Sequence, residues 1–162
     1  MSPNRSRMQT IVRPATESDA ATIADFNRAM AWETEHKTLD PATIHAGVHS
    51  LLSRPEYGFY LVAETETQVV GCLLVTFEWS DWRNGLFWWI QSVYVHPDFR
   101  RRGVFKALYG AVEAKARETP DVCGLRLYVE RDNDTAQKTY AALGMTETPY
   151  RLFEAEFLSE TR

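Results

Sequence analysis

Apolar positions along this chain change their spacing repeatedly, and each change marks an element. Residues 9–13, with Ile11 and Val12, read as a short strand that stops at Pro14. Thr16-Glu17-Ser18-Asp19 supplies the polar caps and first-turn acids of a helix start, and Ile23, Phe26 and Met30 then fall on one helical face. Asp40-Pro41 is a second start, an N-cap followed by proline at the first helical position. Ile44, Val48 and Leu51 form its apolar stripe, ended by Pro55 and Gly58. Residues 59–64 and 69–79 make a hairpin across a turn at 65–68, and its second strand is long. Ser80 to Gly85 is turn chemistry, with Asn84-Gly85 its strongest signal, and 86–95 is the next strand. Val104, Leu108, Ala111 and Lys115 share a face of a helix that ends before Pro120. In 123–129, Leu125, Leu127 and Val129 alternate with Gly124, Arg126 and Tyr128, as a strand requires. Residues 133–143 read as a helix closed by Gly144 at the C′ position, and 150–157 as a last strand. The predicted order is β-α-α-β-β-β-α-β-α-β. It describes a mixed α+β sheet in one domain over 9–162, behind a polar tail at 1–8.

The length suits one ordinary domain, and a chain of this size buries roughly 70% of the surface it exposes unfolded. The formal charge of −4 argues against a nucleic-acid binder that works through a broad basic surface. Arg100-Arg101-Arg102 is therefore a local positive spot on an acidic body. The two cysteines, Cys72 and Cys123, lie in apolar strand-like runs and read as buried reduced thiols. Nothing around them marks a nucleophile, a disulfide framework or a metal site. His45 and His49 are spaced i, i+4, but no H-E-x-x-H frame surrounds them, so they read as a helix surface feature. Met1 to Met8 is polar rather than a signal peptide, and no apolar run approaches the ~18 residues of a membrane span. These features predict a cytoplasmic protein with no membrane and no nucleic-acid partner.

The chemistry concentrates at Val93-Tyr94-Val95-His96-Pro97-Asp98-Phe99-Arg100-Arg101-Arg102-Gly103-Val104-Phe105. A strand runs into a Pro turn and a basic loop, and a glycine opens a helix. Such a helix start offers unpaired N–H groups and the positive end of its dipole, which together cradle a pyrophosphate. Neither the Rossmann G-x-G-x-x-G nor the P-loop G-x-x-x-x-G-K-S/T pattern is present. About thirty residues later comes Asn133-Asp134-Thr135-Ala136-Gln137-Lys138-Thr139-Tyr140-Ala141-Ala142-Leu143-Gly144-Met145.

Together these two blocks resemble the GNAT superfamily of acyl-CoA-dependent N-acyltransferases. The first is similar to its acyl-CoA pyrophosphate motif R/Q-x-x-G-x-G/A. The second is similar to its N-x-x-A-x-x-x-Y-x-x-x-G-F block, here ending Gly-Met. Phe105 departs from the pattern, standing where the family usually has Gly or Ala. The order of elements from about Gln9 to Phe157 matches as well. The resemblance implies an α/β three-layer sandwich, a mixed sheet flanked by about four helices, with splayed central strands that admit acyl-CoA.

The resemblance also implies roles. Acetyl-CoA as co-substrate would lie against the strand Val93, Tyr94 and Val95. Its pyrophosphate would sit on the amides from Arg101 to Lys106, that is Arg101, Arg102, Gly103, Val104, Phe105 and Lys106, with Arg100 and Arg102 adding charge-assisted bonds. A residue near 90–92 would form a β-bulge, and the amide of Val93 or Tyr94 would polarise the thioester carbonyl. Asn133 would lie near the pantetheine amides, unless it serves as an N-cap. Tyr140 would protonate the leaving thiolate. A protonated amine acceptor needs a base, and the candidates are Glu33, Glu35, Glu78 and Asp81, with Glu78 first and Glu33 next. Trp32, Trp79 and Trp82 lie beside these acids and suggest an aromatic, acidic pocket for a cationic amine. The implied activity is N-acetyl transfer to a primary amine of a small molecule or peptide. Attack would be direct and pass through a tetrahedral intermediate, with no metal, and the enzyme would be a homodimer. The alternative is a non-catalytic acyl-CoA-binding or protein-interaction module on the same fold.

Overall fold

In a computed structural model, residues 9–66 and 68–157 are described. The chain divides into two compact units, Met1–Leu127 and Tyr128–Arg162. The first carries a five-stranded sheet with strands in chain order: β1 (Ile11–Pro14), β2 (Gly58–Glu64), β3 (Val69–Ser80), β4 (Gly85–Val95) and β5 (Val122–Arg126). The first three pairings are antiparallel and β4–β5 is parallel, so the sheet is mixed. Helices α1 (Ala20–Glu35), α2 (Pro41–Leu52) and α3 (Val104–Glu118) complete the unit.

Local chemistry sets the boundaries. The Asp40 side chain accepts from the Thr43 N–H at 2.9 Å, and Pro41 follows in the first turn, so α2 starts where its cap predicts. Pro14 closes β1 on the sheet edge, where a missing N–H costs no ladder bond. Before α1, Arg13 donates to Asp19 at 2.8 and 3.0 Å and to Glu64 at 2.8 Å. Asp19 is buried and also accepts from the Thr16 N–H. This pairing holds its carboxyl below the ordinary range, the Arg13 bond being the chief cause.

Two helical layers cover opposite faces of the sheet. A Cβ on Gly71 would meet Val104 and Leu108 of α3, whereas its neighbour Cys72 packs with Ile23, Phe26 and Val48 of α1 and α2. Adjacent strand residues point to opposite faces, so α3 and the α1–α2 pair sandwich the sheet. The buried stripe of α3 is Val104, Leu108, Tyr109, Val112 and Ala116. It therefore turns away from the predicted Ala111 and Lys115. Lys115 lies at the flank instead, its Nζ 5.5 Å from the centroid of the Phe59 ring.

Two further expectations are corrected. Cys123 is exposed. The register of β4 with β5 jumps from Leu86↔Val122 to Phe87↔Gly124, so Cys123 is the extra residue of a bulge with no residue opposite it. Among the described residues, 150–157 form no strand and take no ladder partner, and Tyr150, Leu152, Phe153 and Phe157 are exposed. Strand-like alternation without a hydrogen-bonded neighbour does not make a strand.

In the second unit α4 (Asp134–Ala142) is capped at both ends as predicted. Asn133 Oδ1 accepts from the Ala136 N–H at 3.1 Å, and Gly144 takes the left-handed conformation, φ 90°, just past the end.

Candidate active site

β4 changes partners partway along its length. It pairs with β5 only from Leu86 to Trp89, the last pair being Trp89↔Arg126. Beyond that point its outer edge has no β5 ladder. At the same level the β3–β4 register jumps from Val75↔Ile90 to Leu74↔Ser92, which leaves Gln91 as an extra residue. This is the β-bulge anticipated near 90–92, and it stands directly beside the point where the two parallel strands stop pairing.

The ladder determines which β4 amides face the opening. The His96 N–H donates to the Val70 carbonyl at 2.8 Å. In an antiparallel pair, backbone groups alternate between facing the partner and facing away. Ser92 and Tyr94 therefore turn their N–H and C=O toward β3, and Val93 and Val95 turn theirs toward the open edge. The Val95 carbonyl confirms this, accepting from Arg100 Nε at 2.9 Å. Of the two candidate amides, Val93 or Tyr94, it is Val93 that faces the open edge.

The chain leaves β4 through a short 3-10 turn, Pro97–Phe99, and a basic loop into α3. Arg101 (φ 60°) and Gly103 (φ 82°) both take left-handed backbone, which costs a residue with a side chain about 1–2 kcal/mol. Strain of this kind is kept at sites where the backbone has a task, and such turns aim consecutive N–H groups outward to form anion-binding concavities. The α3 N-terminus has no side-chain cap and no acid in its first turn, and a Cβ on Gly103 would meet nothing within 4 Å. Phe105 stacks on Tyr109, about one turn further along α3, with ring centroids 6.4 Å apart.

The three arginines differ. Arg102 is exposed and its guanidinium lies 5.6 Å from the Phe99 ring centroid. Among the described residues neither Arg101 nor Arg102 has an ion-pair partner. Arg100 is occupied: besides its bond to Val95, Nη2 donates to Glu33 Oε2 at 2.7 Å and the guanidinium lies 5.4 Å from the Tyr94 ring centroid. Glu33 Oε1 accepts from the Tyr94 hydroxyl at 3.1 Å. Both oxygens of Glu33 are thus engaged at the end of α1. Burial, and then Glu33, raises the Tyr94 phenol above its ordinary range.

Glu78 stands on the sheet face opposite α3, directly across from Phe87. Its Oε1 accepts from Arg126 at 2.5 Å, and the Arg126 guanidinium lies 3.6 Å from the Phe87 ring centroid. Gly124 permits this packing, because a Cβ there would come within 2.8 Å of the Phe87 ring. Thr76, two residues before Glu78, shares its face and accepts a hydrogen bond from Gln91 Nε2 at 2.9 Å. A line of polar side chains, Glu78, Thr76 and Gln91, therefore leads to the bulge. Sequence reading missed Thr76, Gln91 and Arg126, since each owes its place to a cross-strand partner. Ser92, next to the bulge, has a buried hydroxyl with no hydrogen-bond partner among the described residues.

The other candidates do not join this cluster. Trp79 adjoins Glu78 in the strand and so points to the opposite face; Trp82 is 87% exposed in the hairpin turn, and Trp32 packs at a tilt against His36. Asp81 accepts from the Trp82 N–H within that turn, and Glu35 is exposed at the end of α1. The predicted aromatic pocket of three tryptophans is not assembled. Cys72 is buried and its thiol is pushed up to about 12 by desolvation, so it is no nucleophile. His49 lies 2.7 Å from Glu17 on the helix surface. Asn133 and Tyr140 share a face of α4 at i and i+7. Capping uses Asn133 Oδ1 and leaves the amide N–H₂ as a donor.

Comparison with known proteins agrees with this geometry. The model of the Acetyltransferase (GNAT) family matches residues 18–145. No curated protein matches the chain. A possible acetyltransferase from Clostridium difficile 630 shares 41% identity over 93% of this chain and 99% of its own, with a TM-score of 0.87. The aminoglycoside N-acetyltransferase AAC(6′)-Iy, solved in complex with CoA, has a TM-score of 0.76 at 16% identity, over 98% of this chain and 100% of its own. A ribosomal-protein-alanine N-acetyltransferase from Brucella melitensis biovar Abortus 2308 has a TM-score of 0.73 at 19% identity, over 92% and 99%. These last two likenesses establish the fold alone. Taken with the bulged strand, its open edge and the uncapped α3 start, the family match and the 41% identical relative establish that this chain belongs to the Acetyltransferase (GNAT) family and is an acetyltransferase.

Proposed function

We propose that the protein is an acetyl-CoA-dependent N-acetyltransferase acting on a primary amine of a small molecule or peptide, and that both compact units belong to one catalytic domain. The observation that carries this reading is the coincidence at one level of the sheet of three features: the end of β4–β5 pairing, the Gln91 bulge, and the outward-facing Val93 amide. The uncapped α3 start, at Val104, follows on the same stretch of chain. CoA in the structure of the similar aminoglycoside N-acetyltransferase supports the choice of donor.

The residues fit that donor. The N–H groups of the first turn of α3, with Gly103 giving close approach and Arg102 and Lys106 giving charge, would hold its pyrophosphate. The Val93 and Val95 backbone groups on the open edge would pair with its amide-bearing arm as an added strand would. The orphaned Ser92 hydroxyl adds a polar group in need of a partner beside the bulge. When bound, acetyl-CoA supplies an acetyl thioester.

The remaining steps belong to protein groups. The Val93 N–H, held rigidly by the ladder, stabilises negative charge on the carbonyl oxygen, a contribution of roughly 10²–10³ in rate for one such donor. Glu78 accepts the proton of the incoming ammonium. It stands three strand steps from Val75 at the bulge, about 10 Å at the strand rise, so the proton travels through water along Thr76 and Gln91. Arg126 fixes Oε1 and leaves Oε2 as acceptor. Tyr140 donates a proton to the departing sulfur; a phenol near 10 and a thiol near 8.5 are closely matched for that transfer. No acyl-cysteine is needed, and the buried Cys72 thiol is unsuited to forming one.

The test is thiol release from acetyl-CoA across a panel of primary amines, with Glu78→Gln as the variant. The expected result is amine-dependent CoA formation, with kcat lower by about 10²-fold in the variant. Tight acetyl-CoA binding without turnover on any amine would make the protein a non-catalytic acyl-CoA-binding module.

A further inference from the structure

Glu33 and Arg100 lie 67 residues apart in sequence and meet at 2.7 Å between the end of α1 and the loop that leads into α3. Three contacts converge there. Arg100 Nη2 reaches Glu33, Arg100 Nε holds the Val95 carbonyl at 2.9 Å, and the guanidinium faces the Tyr94 ring. The Tyr94 hydroxyl closes the cycle onto the other oxygen of Glu33 at 3.1 Å. Tyr94 is itself fixed, 7% exposed and packed against Phe26 of α1 with ring centroids 5.1 Å apart.

From this cycle we infer that Glu33 is a positioning residue: through Arg100 and Tyr94 it latches the α3-entry loop to β4 and α1, and so sets the loop's shape before a phosphate-bearing ligand arrives. Arg101 and Gly103, in left-handed backbone, sit immediately after the latched arginine. A strained loop persists only if its surroundings hold it, and on one flank that support is the Arg100 bidentate-capable fork. The inference rests on the acetyl-CoA reading for its ligand, but not for the latch itself. It gives Glu33 a task other than proton transfer, since both its oxygens already accept from partners. Arg100 likewise acts chiefly through the loop, because Nε and Nη2 are committed to protein oxygens.

The experiment uses Glu33→Gln, Arg100→Gln and the double variant of the full chain. Hydrogen exchange of the peptide 96–103 in ligand-free protein reads the latch directly, and calorimetric titration with acetyl-CoA reads its effect on binding. Each single variant is expected to exchange several-fold faster in this peptide and to bind acetyl-CoA three- to tenfold more weakly. The double variant should lose less than the sum of the two single variants, because the Glu33–Arg100 contact is removed by each of them. At saturating acetyl-CoA, kcat and its pH profile should be unchanged in Glu33→Gln. Unchanged exchange in Glu33→Gln would overturn the inference, as would additive losses in the double variant. So would a fall in kcat with an altered pH profile and an unaltered Kd, which would make Glu33 a base. Should the wild type fail to bind acetyl-CoA, the donor assignment falls, and loop exchange in the variants still decides the latch. Tyr94→Phe, which removes one contact to Glu33 and keeps the ring, should give a smaller change in exchange of the same sign.

Discussion

Replacing Val93 by proline removes one N–H and nothing else from the hydrogen-bonding capacity of β4. Because the His96 N–H meets Val70 and the ladder alternates from there, the Val93 amide faces the open edge and gives no bond to β3. Proline is tolerated in a strand at such positions. The side chain is part-buried, so lost packing and a pinned φ should cost about 1–3 kcal/mol of stability, and the β3–β4 ladder should survive. The catalytic loss should be larger than this disturbance suggests. Deleting one preorganised donor to a developing oxyanion costs roughly 10²–10³ in kcat, about 2.7–4 kcal/mol of barrier. Val93→Ala is the control, since it loses the packing and keeps the amide. The assay is steady-state thiol release at saturating acetyl-CoA, with thermal unfolding of both variants alongside. A folded Val93→Pro protein with kcat within threefold of Val93→Ala would refute the assigned role of the amide. Failure of Val93→Pro to fold where Val93→Ala folds would mean that the amide belongs to the ladder after all.

Other consequences follow from the same structure. Asp19→Asn should destabilise the fold by about 2–4 kcal/mol, because Asp19 has a side chain 6% exposed and leaves Arg13 with Glu64 as its remaining acidic partner. The folded Asp19 carboxyl titrates below its ordinary 3.8, so its stabilisation is present above about pH 4 and fades as pH falls through the folded value. Unfolding of the variant should accordingly depend less on pH below about 4, and an unchanged acid profile would show that another carboxylate governs it. Alkylation of the native protein should label Cys123 quickly and Cys72 only after unfolding, as mass spectrometry can count; rapid double labelling would contradict the burial of Cys72. Tyr140→Phe should retain acetyl-CoA binding and lose turnover about 10²-fold, and full turnover would assign the proton to water or another group.

Much of the frame is legible in the sequence because its signals are local. Asp40-Pro41, Asn133 and Gly144 each announce a helix end through contacts within a few residues, and the structure uses all three. The loop from His96 to Phe105 is readable for the same reason. What stays hidden depends on partners distant in sequence. The run from Leu86 to Val95 is apolar almost throughout, so no alternation betrays the residue at which the register slips, and Gln91 becomes visible as a bulge only against β3. An apolar pattern likewise does not show where a bulge falls, which is why Cys123 emerges exposed. Residues 150–157 carry the alternation of a strand but find no ladder. Neither the Glu33–Arg100 nor the Glu78–Arg126 contact has any local signature, being 67 and 48 residues apart. Both change what the carboxylates can do.

The central claim is that the uncapped start of α3 and the open edge of β4 receive acetyl-CoA. Calorimetric titration of the purified protein with acetyl-CoA tests it most directly, with Arg102→Glu as the companion variant. Arg102 is exposed, so reversing its charge should leave folding intact. The account predicts saturable binding at micromolar to low millimolar concentration, weakened at least tenfold in Arg102→Glu. No saturable binding by the folded wild type in that range, or equal affinity in the variant, would contradict it.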